Sequence, residues 1–302
     1  MNKILVVCGA TATGKTALAA ECARILHGEV ISADALLVYK GLNIGTAKPT
    51  QAEMRGVTHY MIDVCEPTEA FSVSDFERLA LPLLEDILSR GKTPVLCGGT
   101  GFYMNALLYK SSFGNTPADL RVRQEYERME KEKGRDHLHA LLQEVDPESA
   151  RRLHPNDVKR VIRALEIYEL TGQKKSAQKD EAIPRYPFCA VAYDYPREAL
   201  YGRIGRRVEE MFAQGLVDEV KGLLARGVGE NAQCMQGIGY KEVVEGLKNG
   251  DSDSTMSEII KKNTRNYAKR QITFFKRTQN LHWLAPASAE QSAREVIELY
   301  ER

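Results

Sequence analysis

The fold of this chain is decided by Lys3-Ile-Leu-Val-Val-Cys-Gly9-Ala-Thr-Ala-Thr-Gly14-Lys15-Thr16 and the helix-like run Ala17-Leu-Ala-Ala-Glu-Cys-Ala-Arg-Ile-Leu26 that follows it. An apolar run bounded by glycine predicts a buried strand, and Gly-x-x-x-x-Gly-Lys-Thr between a strand and a helix is the phosphate-binding P-loop. Its glycines let the backbone approach an anion, and the helix N-terminus adds positive potential. We expect Lys15 to neutralise phosphate oxygens and the Thr16 hydroxyl to bind Mg²⁺. The chain is therefore predicted to bind a di- or triphosphate.

The motif alone leaves the phosphate compound open. Most P-loops serve ATP or GTP hydrolysis or phosphoryl transfer, so nucleotide binding, ATP binding included, is the default interpretation. A GTPase would also carry Asn-Lys-x-Asp, which does not occur in the sequence. An ATPase would carry an apolar run that ends in a carboxylate, and neither Glu29-Val-Ile-Ser-Ala-Asp34 nor His59-Tyr-Met-Ile-Asp63 matches that pattern cleanly.

The composition is that of a globular protein of the cytoplasm. With 302 residues and 43% hydrophobic content, the chain can bury one large core or two smaller ones. It contains no apolar run near the roughly 18 residues of a membrane span, and its N-terminus does not resemble a signal peptide. The six cysteines form no Cys-x-x-Cys pair, which argues against a zinc site and a disulfide framework. We therefore expect cytoplasmic localisation and no membrane partner.

Two basic segments stand out against a net charge of only +1. Residues 261–277 contain seven basic side chains and no acidic one. A second set surrounds the start of another helix and comprises Arg151, Arg152, Lys159, Arg160 and Arg163. Either set alone could be a solvated helix face, but together they point towards a polyanionic partner such as nucleic acid.

Strands and helices alternate in the first third of the chain, which predicts an α/β fold with a parallel sheet flanked by helices. The predicted strands are Ile4–Cys8, Glu29–Ala33, Tyr60–Val64, Pro94–Cys97, Cys189–Tyr193 and a less secure one near Trp283. A helix is predicted over Ser74–Ser89, where Ser74 is a good N-cap candidate. We therefore assign residues 1–111 to the first part of a P-loop NTPase-like core.

The strand signal disappears between about Ser112 and Pro187, where charged residues and helix formers dominate. The predicted helices are Leu120–Lys133, Arg135–Glu144 and Asp157–Leu170, the last capped by Asn156 and stopped at Gly172. We assign 112–187 to a helical insertion domain. Residues 188–302 are predicted to return to the core sheet and then form a helical C-terminal region.

Four segments outside the P-loop carry candidate chemistry. Asp34 follows the second strand and could be a Mg²⁺ ligand, a ribose contact, a general base or only a helix N-cap. The turn Gly98-Gly-Thr100-Gly follows the fourth strand and brings a hydroxyl to the same edge of the sheet. Arg203 and Arg207 lie one helical turn apart and could clamp phosphate, although arginines at this spacing, taken alone, more often pair with surface acids. The segment Gln236-Gly-Ile-Gly-Tyr-Lys241 has the glycines, aromatic group and cation that suit RNA, or a plain loop-to-helix junction.

In this order, the segments closely resemble the tRNA dimethylallyltransferase family, which prenylates the adenine next to the anticodon. The resemblance runs from the P-loop to about Trp283. Besides the P-loop, it rests on Ser32-Ala-Asp34, Tyr39-Lys-Gly-Leu-Asn-Ile-Gly-Thr-Ala-Lys-Pro49, Gly98-Gly-Thr-Gly101, His154-Pro-Asn-Asp157 with Arg160 and Arg163-Ala-Leu, Gly239-Tyr-Lys, and Tyr267-Ala-Lys-Arg-Gln271. The departures from the family pattern are Ala10, Ala35, Asn43 and Phe274, which stand where proline, serine, aspartate and tryptophan are usual.

The resemblance implies transfer of a dimethylallyl group from dimethylallyl diphosphate to the N6 amine of that adenosine, with Mg²⁺ as cofactor and the tRNA anticodon arm as partner. No obligate protein partner is implied. The implied catalytic residues are Asp34 as general base, Thr16, which also binds the metal, and Arg203. The implied diphosphate-binding residues are Gly9, Thr11, Ala12, Thr13, Gly14, Lys15, Thr16 and Arg203. The implied tRNA-binding residues are Asp34, Ala35, Leu36, Leu37, Thr100, Arg121, Lys159, Arg160, Val161, Ile162, Arg163, Gln236, Gly237, Ile238, Gly239, Tyr240 and Lys241.

Two other functions fit parts of the sequence. A P-loop kinase that phosphorylates a small metabolite or a nucleoside would explain the phosphate loop but not the basic helices. An RNA-binding NTPase without group transfer would explain the basic helices. It would leave Asp34 and the Gly98–Gly101 turn without a shared purpose.

Overall fold

Six parallel strands form the central sheet of the protein, in the order β3-β2-β4-β1-β5-β6. The computed structural model describes residues 3–110, 119–178 and 183–302. The strands are β1 Ile4–Cys8, β2 Glu29–Ala33, β3 His59–Tyr60, β4 Pro94–Gly98, β5 Phe188–Tyr193 and β6 Leu281–Leu284. The predicted α/β class with a P-loop NTPase-like parallel sheet is confirmed.

The part of the chain that the structure describes contains twelve α-helices. They are α1 Lys15–Ile25, α2 Val73–Ser89, α3 Gly101–Leu108, α4 Leu120–Lys133, α5 Arg135–Val145, α6 Pro147–Arg152, α7 Val158–Thr171, α8 Arg197–Ala213, α9 Leu216–Ala225, α10 Tyr240–Asn249, α11 Asp253–Phe275 and α12 Ala289–Glu301. Short 3₁₀ turns cover Lys175–Ala177 and Gln233–Gln236. None of these helices combines the length and the apolar character that a membrane crossing requires.

Both faces of the sheet are covered at the central strand β1, which explains why β1 is apolar throughout. Leu5 and Val7 of β1 pack into a core shared with α1 and α12. Ile4, Val6 and Cys8 point to the opposite face, where α2, α3 and the helices that follow β5 supply the larger core. A parallel strand buried on both sides has no polar face, so its sequence reads as a continuous hydrophobic run.

The loops after β1, β2 and β4 meet at one edge of the sheet because all three strands point the same way. The P-loop follows β1, Asp34 follows β2, and the Gly98–Gly101 turn follows β4. Ligands in open α/β sheets bind at this carboxyl edge. The topology therefore gathers the sequence motifs into one place.

The chain divides into two compact units, one of Met1–Tyr109 with Pro184–Arg302 and one of Lys110–Ile183. The first contains the sheet. The second contains α4 to α7, and its core includes Leu138, Leu142, Val161 and Leu165. No strand occurs between residues 119 and 178.

Some predicted element boundaries were wrong. The third strand covers only His59–Tyr60, not Tyr60–Val64, because Met61 and Asp63 take left-handed backbone conformations with φ of 63° and 56°. The α2 helix is capped by Ser72, not Ser74, because the side chain of Asp75 completes a capping box with Ser72.

The insertion helices also differ from the sequence prediction at two points. The N-cap of α7 is Asp157, not Asn156, whose N–H instead donates to the imidazole Nδ1 of His154 at 3.1 Å. The α6 helix was missed altogether. Its signal was present in the sequence, since Asp146 caps it and Pro147 occupies its first turn.

Candidate active site

The P-loop has the open, strained backbone that an anion site needs. Gly9 and Gly14 have φ of 123° and 89°, which favour glycine, and Ala12 is left-handed at 62° without being glycine. The buried Thr13 hydroxyl donates to the Ala10 carbonyl at 2.9 Å and closes the turn. Because Gly14 is also the N-cap of α1, the loop leads straight into the positive end of that helix.

Two arginines from α8 hold this loop from the side. The Arg203 Nε donates to the Ala12 carbonyl at 2.6 Å, and its guanidinium lies 5.0 Å from the centre of the Tyr195 ring. One helical turn later, Arg207 donates to the Thr11 hydroxyl at 2.9 Å and to the Thr46 carbonyl at 3.0 Å. Both cations are thus fixed beside the phosphate-binding backbone, where a bound phosphate could accept from them.

Gln271 ties the P-loop to the turn after β4. The Thr11 N–H donates to its Oε1 at 2.9 Å, and its Nε2 donates to the Gly99 carbonyl at 2.9 Å. A Cβ at Gly99 would lie only 2.2 Å from that Nε2, so a larger residue would displace the glutamine amide. The segment Tyr267-Ala-Lys-Arg-Gln271 therefore provides the glutamine that joins two loops of the site.

The Asp34 carboxylate is oriented through one of its two oxygens. Its Oδ1 accepts from the N–H groups of Leu36 at 2.9 Å and Leu37 at 3.4 Å. These bonds form a turn rather than a helix cap, since the described residues between β2 and α2 contain no helix. Among the described residues no donor reaches Oδ2. The side chain is held in place and keeps an acceptor oxygen available.

Two cavities meet at Asp34. The smaller, about 60 Å³, lies against the P-loop and is lined by Lys15, Thr16, Ser32 and Cys97 among others. The larger, about 380 Å³, is walled by the turn after β4, the Gln236–Gly239 segment and apolar side chains of α8. The two cavities share four lining residues, Thr11, Asp34, Thr46 and Arg207. A ligand on the P-loop and a second ligand in the larger cavity would therefore adjoin at the Asp34 carboxylate.

The cations beside the P-loop are not fully compensated by protein charge. Burial lowers the pKa of Lys15 below its ordinary value, and the neighbouring Cys97 and Asp34 only partly oppose this. Burial likewise lowers the pKa of Arg207, against the raising effect of Asp34. A bound anion would restore the charged forms. In the larger cavity, burial and the Asp34 charge raise the pKa of Tyr267 to about 12, so its hydroxyl stays protonated.

The donor atoms at the smaller cavity suit Mg²⁺. Thr16, Ser32 and Asp34 offer hydroxyl and carboxylate oxygens there, the hard ligands that Mg²⁺ prefers. Within the described ranges no cluster of three His, Cys, Asp or Glu side chains could bind a metal without a substrate. An ion at this position would therefore rely on ligand phosphate oxygens, as Mg²⁺ commonly does.

The structure places most of the predicted tRNA-binding residues of the sheet-containing unit around the larger cavity. Its lining includes Asp34, Ala35, Leu36, Thr100, Gln236, Gly237, Ile238 and Gly239. Leu37 lies instead at the smaller cavity. Tyr240 is a correction: it is fully buried, and its hydroxyl donates to Glu219 at 2.6 Å, so its side chain offers no surface to RNA. Lys241 is exposed beside Glu245.

In the helical unit the predicted RNA residues divide by helix face. Lys159 and Arg160 are exposed on α7, and Arg121 is exposed on α4. Val161 and Ile162 are 1% and 4% exposed and belong to the core, so the prediction that they contact RNA is corrected. Arg163 is partly buried and donates to the buried carboxylate of Glu166 at 2.6 Å.

Sequence reasoning missed several residues of the larger cavity. Ile204, Val208 and Met211 form its apolar wall on α8, and Ile260, Thr264 and Tyr267 line it from α11. The helical spacing of both sets was visible in the sequence, but the same spacing is typical of any core face. Arg207 was noted as a possible clamp and left out of the implied diphosphate site, although it lines both cavities.

The structure gives a physical account of three departures from the family pattern. The Ala35 N–H donates to the Thr100 hydroxyl oxygen at 3.0 Å, a backbone contact that alanine makes as well as serine. The Ala10 carbonyl accepts from Thr13, which needs no proline. Asn43 binds Glu219 through its backbone N–H at 2.9 Å.

Comparison with known proteins agrees with this geometry. The model of the family described as IPP transferase matches residues 37–278. A tRNA dimethylallyltransferase of Acetivibrio thermocellus is 45% identical over 287 residues, covering 94% of this chain and 92% of that protein. One of Bacillus cereus is 42% identical over 294 residues, covering 97% and 92%.

Solved structures give the same result. A full-length tRNA isopentenylpyrophosphate transferase of Bacillus halodurans superposes with a TM-score of 0.74 at 40% identity, covering 99% of this chain and 95% of that one. A eukaryotic dimethylallyltransferase acting on tRNA superposes with a TM-score of 0.81 at 28% identity, covering 97% and 77%.

The fold and the site together define a P-loop α/β protein whose phosphate loop opens into a second ligand cavity. The chain belongs to the IPP transferase family. Its closely similar relatives carry the name tRNA dimethylallyltransferase, a prenyltransferase enzyme, and the predicted family is thereby confirmed. None of these relatives supports the kinase alternative.

Proposed function

We propose that this protein transfers a dimethylallyl group from dimethylallyl diphosphate to the N6 amine of the adenosine adjacent to the tRNA anticodon, and releases diphosphate. The reaction belongs in the cytoplasm, a reducing compartment that suits six buried cysteines, all of which are free. The observation that carries the proposal is the meeting of two cavities at the Asp34 carboxylate.

The smaller cavity is the proposed diphosphate site. Thr11, Lys15, Thr16 and Arg207 line it, and Arg203 lies beside it on the Ala12 carbonyl of the P-loop. Together with the P-loop amides, these cations would bring positive charge to a bound anion. As the allylic C1–O bond breaks, negative charge grows on the leaving diphosphate, and these fixed donors stabilise it. Mg²⁺ bound by Thr16 and by diphosphate oxygens would add positive charge at the same oxygens.

The larger cavity is the proposed site of the target adenine. A purine in a stacked anticodon loop cannot reach a buried diphosphate, so it must be extruded to react. Thr100 and the Gln236–Gly239 segment would line its edge, and Tyr267 and Arg270 offer hydrogen-bond donors on the α11 side. With C1 at the smaller cavity and N6 in the larger one, the new C–N bond forms beside Asp34.

Asp34 is the proposed general base. The N6 amine forms a bond to C1 while it loses one N–H proton, and Oδ2 of Asp34 is the acceptor to which none of the described residues donates. The two backbone bonds to Oδ1 keep the carboxylate in one orientation during the transfer. Electron and proton balance closes with a neutral secondary amine, a protonated Asp34 and free diphosphate.

The helical unit is the proposed anchor for the anticodon arm. Arg121, Lys159 and Arg160 present exposed cations that suit phosphate contacts. Phosphate contacts position an RNA without reading its sequence, whereas the extruded base is read in the cavity. Replacement of Lys159 and Arg160 by alanine should weaken tRNA binding and reduce the slope of log affinity against log salt by about 0.7 to 0.9 for each phosphate that is no longer neutralised.

The proposal is tested by incubating the protein with Mg²⁺, unmodified tRNA and dimethylallyl diphosphate labelled in the prenyl carbons. Label should enter the RNA, and nuclease digestion should recover it as a modified adenosine. A tRNA with guanosine at the target position is the matched control and should remain unlabelled. Terminally labelled ATP is offered in parallel as a phosphoryl donor. Transfer of label from ATP to a small acceptor, with none from the prenyl donor to tRNA, would establish a kinase instead.

A further inference from the structure

Glu219 on α9 is the hydrogen-bond centre of the loop that follows β2. Its carboxylate accepts from the backbone N–H of Asn43 at 2.9 Å, of Ile44 at 2.8 Å and of Gly45 at 3.2 Å. It also accepts from the hydroxyl of Tyr240 at 2.6 Å. One side chain therefore joins the loop after β2 to the first residue of α10.

The loop that Glu219 holds extends to the part of the site proposed for the prenyl donor, dimethylallyl diphosphate. Gly45 and Thr46 line the larger cavity, and the Thr46 carbonyl accepts from Arg207 at 3.0 Å. The same guanidinium donates to Thr11 of the P-loop at 2.9 Å. A displacement of the loop would remove one of the two bonds that orient Arg207.

Tyr240, the hydrogen-bond partner of Glu219, adjoins the cavity proposed for the adenine that accepts the prenyl group. Tyr240 directly follows the Gln236–Gly239 wall of the larger cavity, and its ring is fully buried. It also packs against the loop, since a Cβ at Gly45 would lie 2.5 Å from the Tyr240 ring. The ring and the hydroxyl thus fix the distance between the two walls.

We propose that Glu219 and Tyr240 are positioning residues that hold the acceptor wall and the Arg207-bearing donor wall in register. The inference rests on the proposed prenyl transfer and adds residues to it that touch neither substrate. A shift of about 1 Å between reacting groups can cost a factor of about 100 in rate, so a joint between two substrate sites controls turnover.

The decisive variant is Tyr240→Phe, which removes one hydroxyl and keeps the buried ring. We expect kcat/KM for the prenyl donor to fall about 10-fold, the loss typical of a hydrogen bond to a charged group. The tRNA dissociation constant should stay within about 2-fold, because the hydroxyl is buried and makes no RNA contact. A purely structural role would lower the melting temperature and leave the kinetics of the folded enzyme unchanged.

The matched control is Tyr60→Phe, which removes a tyrosine hydroxyl that donates to Glu29 at 3.0 Å; Tyr60 lines neither cavity. It should lower stability without changing kcat/KM. Kinetics are measured at a temperature where circular dichroism shows each variant folded. Should Tyr240→Phe fail to fold, Glu219→Gln replaces it with the same expected loss, because a glutamine amide cannot accept from all four donors.

A double-mutant cycle completes the test. If the two side chains act as one joint, Tyr240→Phe should have less than about a 2-fold further effect when Glu219 is already alanine. Full additivity of the two losses, or kinetics in Tyr240→Phe equal to those in Tyr60→Phe, would overturn the inference. Failure of the unaltered protein to label tRNA would instead overturn the proposed function.

Discussion

The carboxylates at the two ends of strand β2 differ in how many of their oxygens accept hydrogen bonds. Glu29 opens the strand and is saturated: Arg90 donates to it twice, at 2.7 and 2.6 Å, Lys92 donates at 2.6 Å and Tyr60 at 3.0 Å. Asp34 follows the other end, and only one of its oxygens accepts hydrogen bonds within the described ranges. The hydrogen bonds from Arg90 hold the pKa of Glu29 at about 2.

The contrast separates a carboxylate that stabilises the fold from one that is available for chemistry. A saturated carboxylate is a poor base because proton transfer to it must first break its bonds to cations. A carboxylate with one fixed and one available oxygen is oriented and can still accept a proton. Position on the strand decides the difference, since ligands bind at the carboxyl edge of the sheet.

The largest expected effect comes from Asp34→Asn. The rate of a single turnover with both substrates bound should fall by about 10²- to 10⁴-fold, because the amide cannot accept the proton. Stability should hardly change, since the asparagine oxygen can still accept from Leu36 and Leu37. Rapid-quench kinetics and thermal melting measure the two quantities.

Asp63→Asn is the control for this change, because Asp63 is a half-exposed carboxylate paired with Lys48 and lines neither cavity. It should retain its single-turnover rate. A large loss of tRNA affinity in Asp34→Asn, with unchanged turnover of the bound substrate, would contradict the role of Asp34 as a base.

Glu29→Gln is expected to lower stability and to leave turnover unchanged, the reverse of Asp34→Asn. Loss of the charge weakens the bonds from Arg90 and Lys92, so the free energy of unfolding should fall by about 2 kcal/mol. The kcat should remain within about 2-fold of the unaltered value. Urea denaturation and steady-state kinetics test both statements, and a large loss of kcat without a loss of stability would break the comparison.

The contribution of Glu29 to the free energy of unfolding should also depend on pH in the unaltered protein. Because folding holds the pKa of Glu29 at about 2, below its ordinary 4.5, its stabilising contribution is complete above pH 4.5 and disappears as the pH falls towards 2. The stability difference between the unaltered protein and Glu29→Gln should therefore shrink across that window. A difference that is independent of pH would show that the charge of Glu29 is not what stabilises the fold.

The smallest effect on stability is expected from His59 on β3. One nitrogen of its ring has a hydrogen-bond partner and the other has none in the described part of the chain. Its Nδ1 lies 2.9 Å from the Val57 carbonyl, to which it donates, and its buried Nε2 has no partner in the described part of the chain. Burial lowers its pKa below the ordinary 6.5. The unfolded state then binds more protons, so stability is complete above pH 6.5 and falls as the pH drops below it.

His59→Asn should remove this part of the acid slope between pH 6.5 and 5, as followed by denaturation at several pH values. An identical slope in the unaltered protein and His59→Asn would show that the ring is protonated in the folded state as well.

The parts of the fold that follow local rules could be predicted from the sequence. The P-loop and β1, β2 and β5 are set by short apolar runs and glycines, and α4 begins and ends where its sequence pattern predicts. The bounds of the third strand could not be predicted, because its end depends on left-handed residues that contact the turn after β2. Asp63 N–H donates to Leu37 O at 3.0 Å, a contact that periodicity does not encode.

The sequence was enough to expect Asp34 and the Gly98–Gly101 turn at one edge of the sheet, but a run of residues taken as a block included side chains that are buried. Lys159 to Arg163 were all assigned to RNA, although helical periodicity places Val161 and Ile162 inside. Tyr240 was assigned likewise, yet Glu219, distant in sequence, draws its hydroxyl into the core. Only the tertiary structure supplies such partners.

The central position of β1 has a consequence for synthesis of the chain. Leu5 pairs with Val95 on one side and with Cys189 on the other, so the first strand to leave the ribosome is enclosed only after the fifth has followed. At about 5 to 20 residues per second, an apolar segment waits about 10 to 40 s for its neighbours. Nascent-chain holdases have that interval in which to bind, and the phosphate loop gains its contacts to Arg203, Arg207 and Gln271 only after the interval has ended.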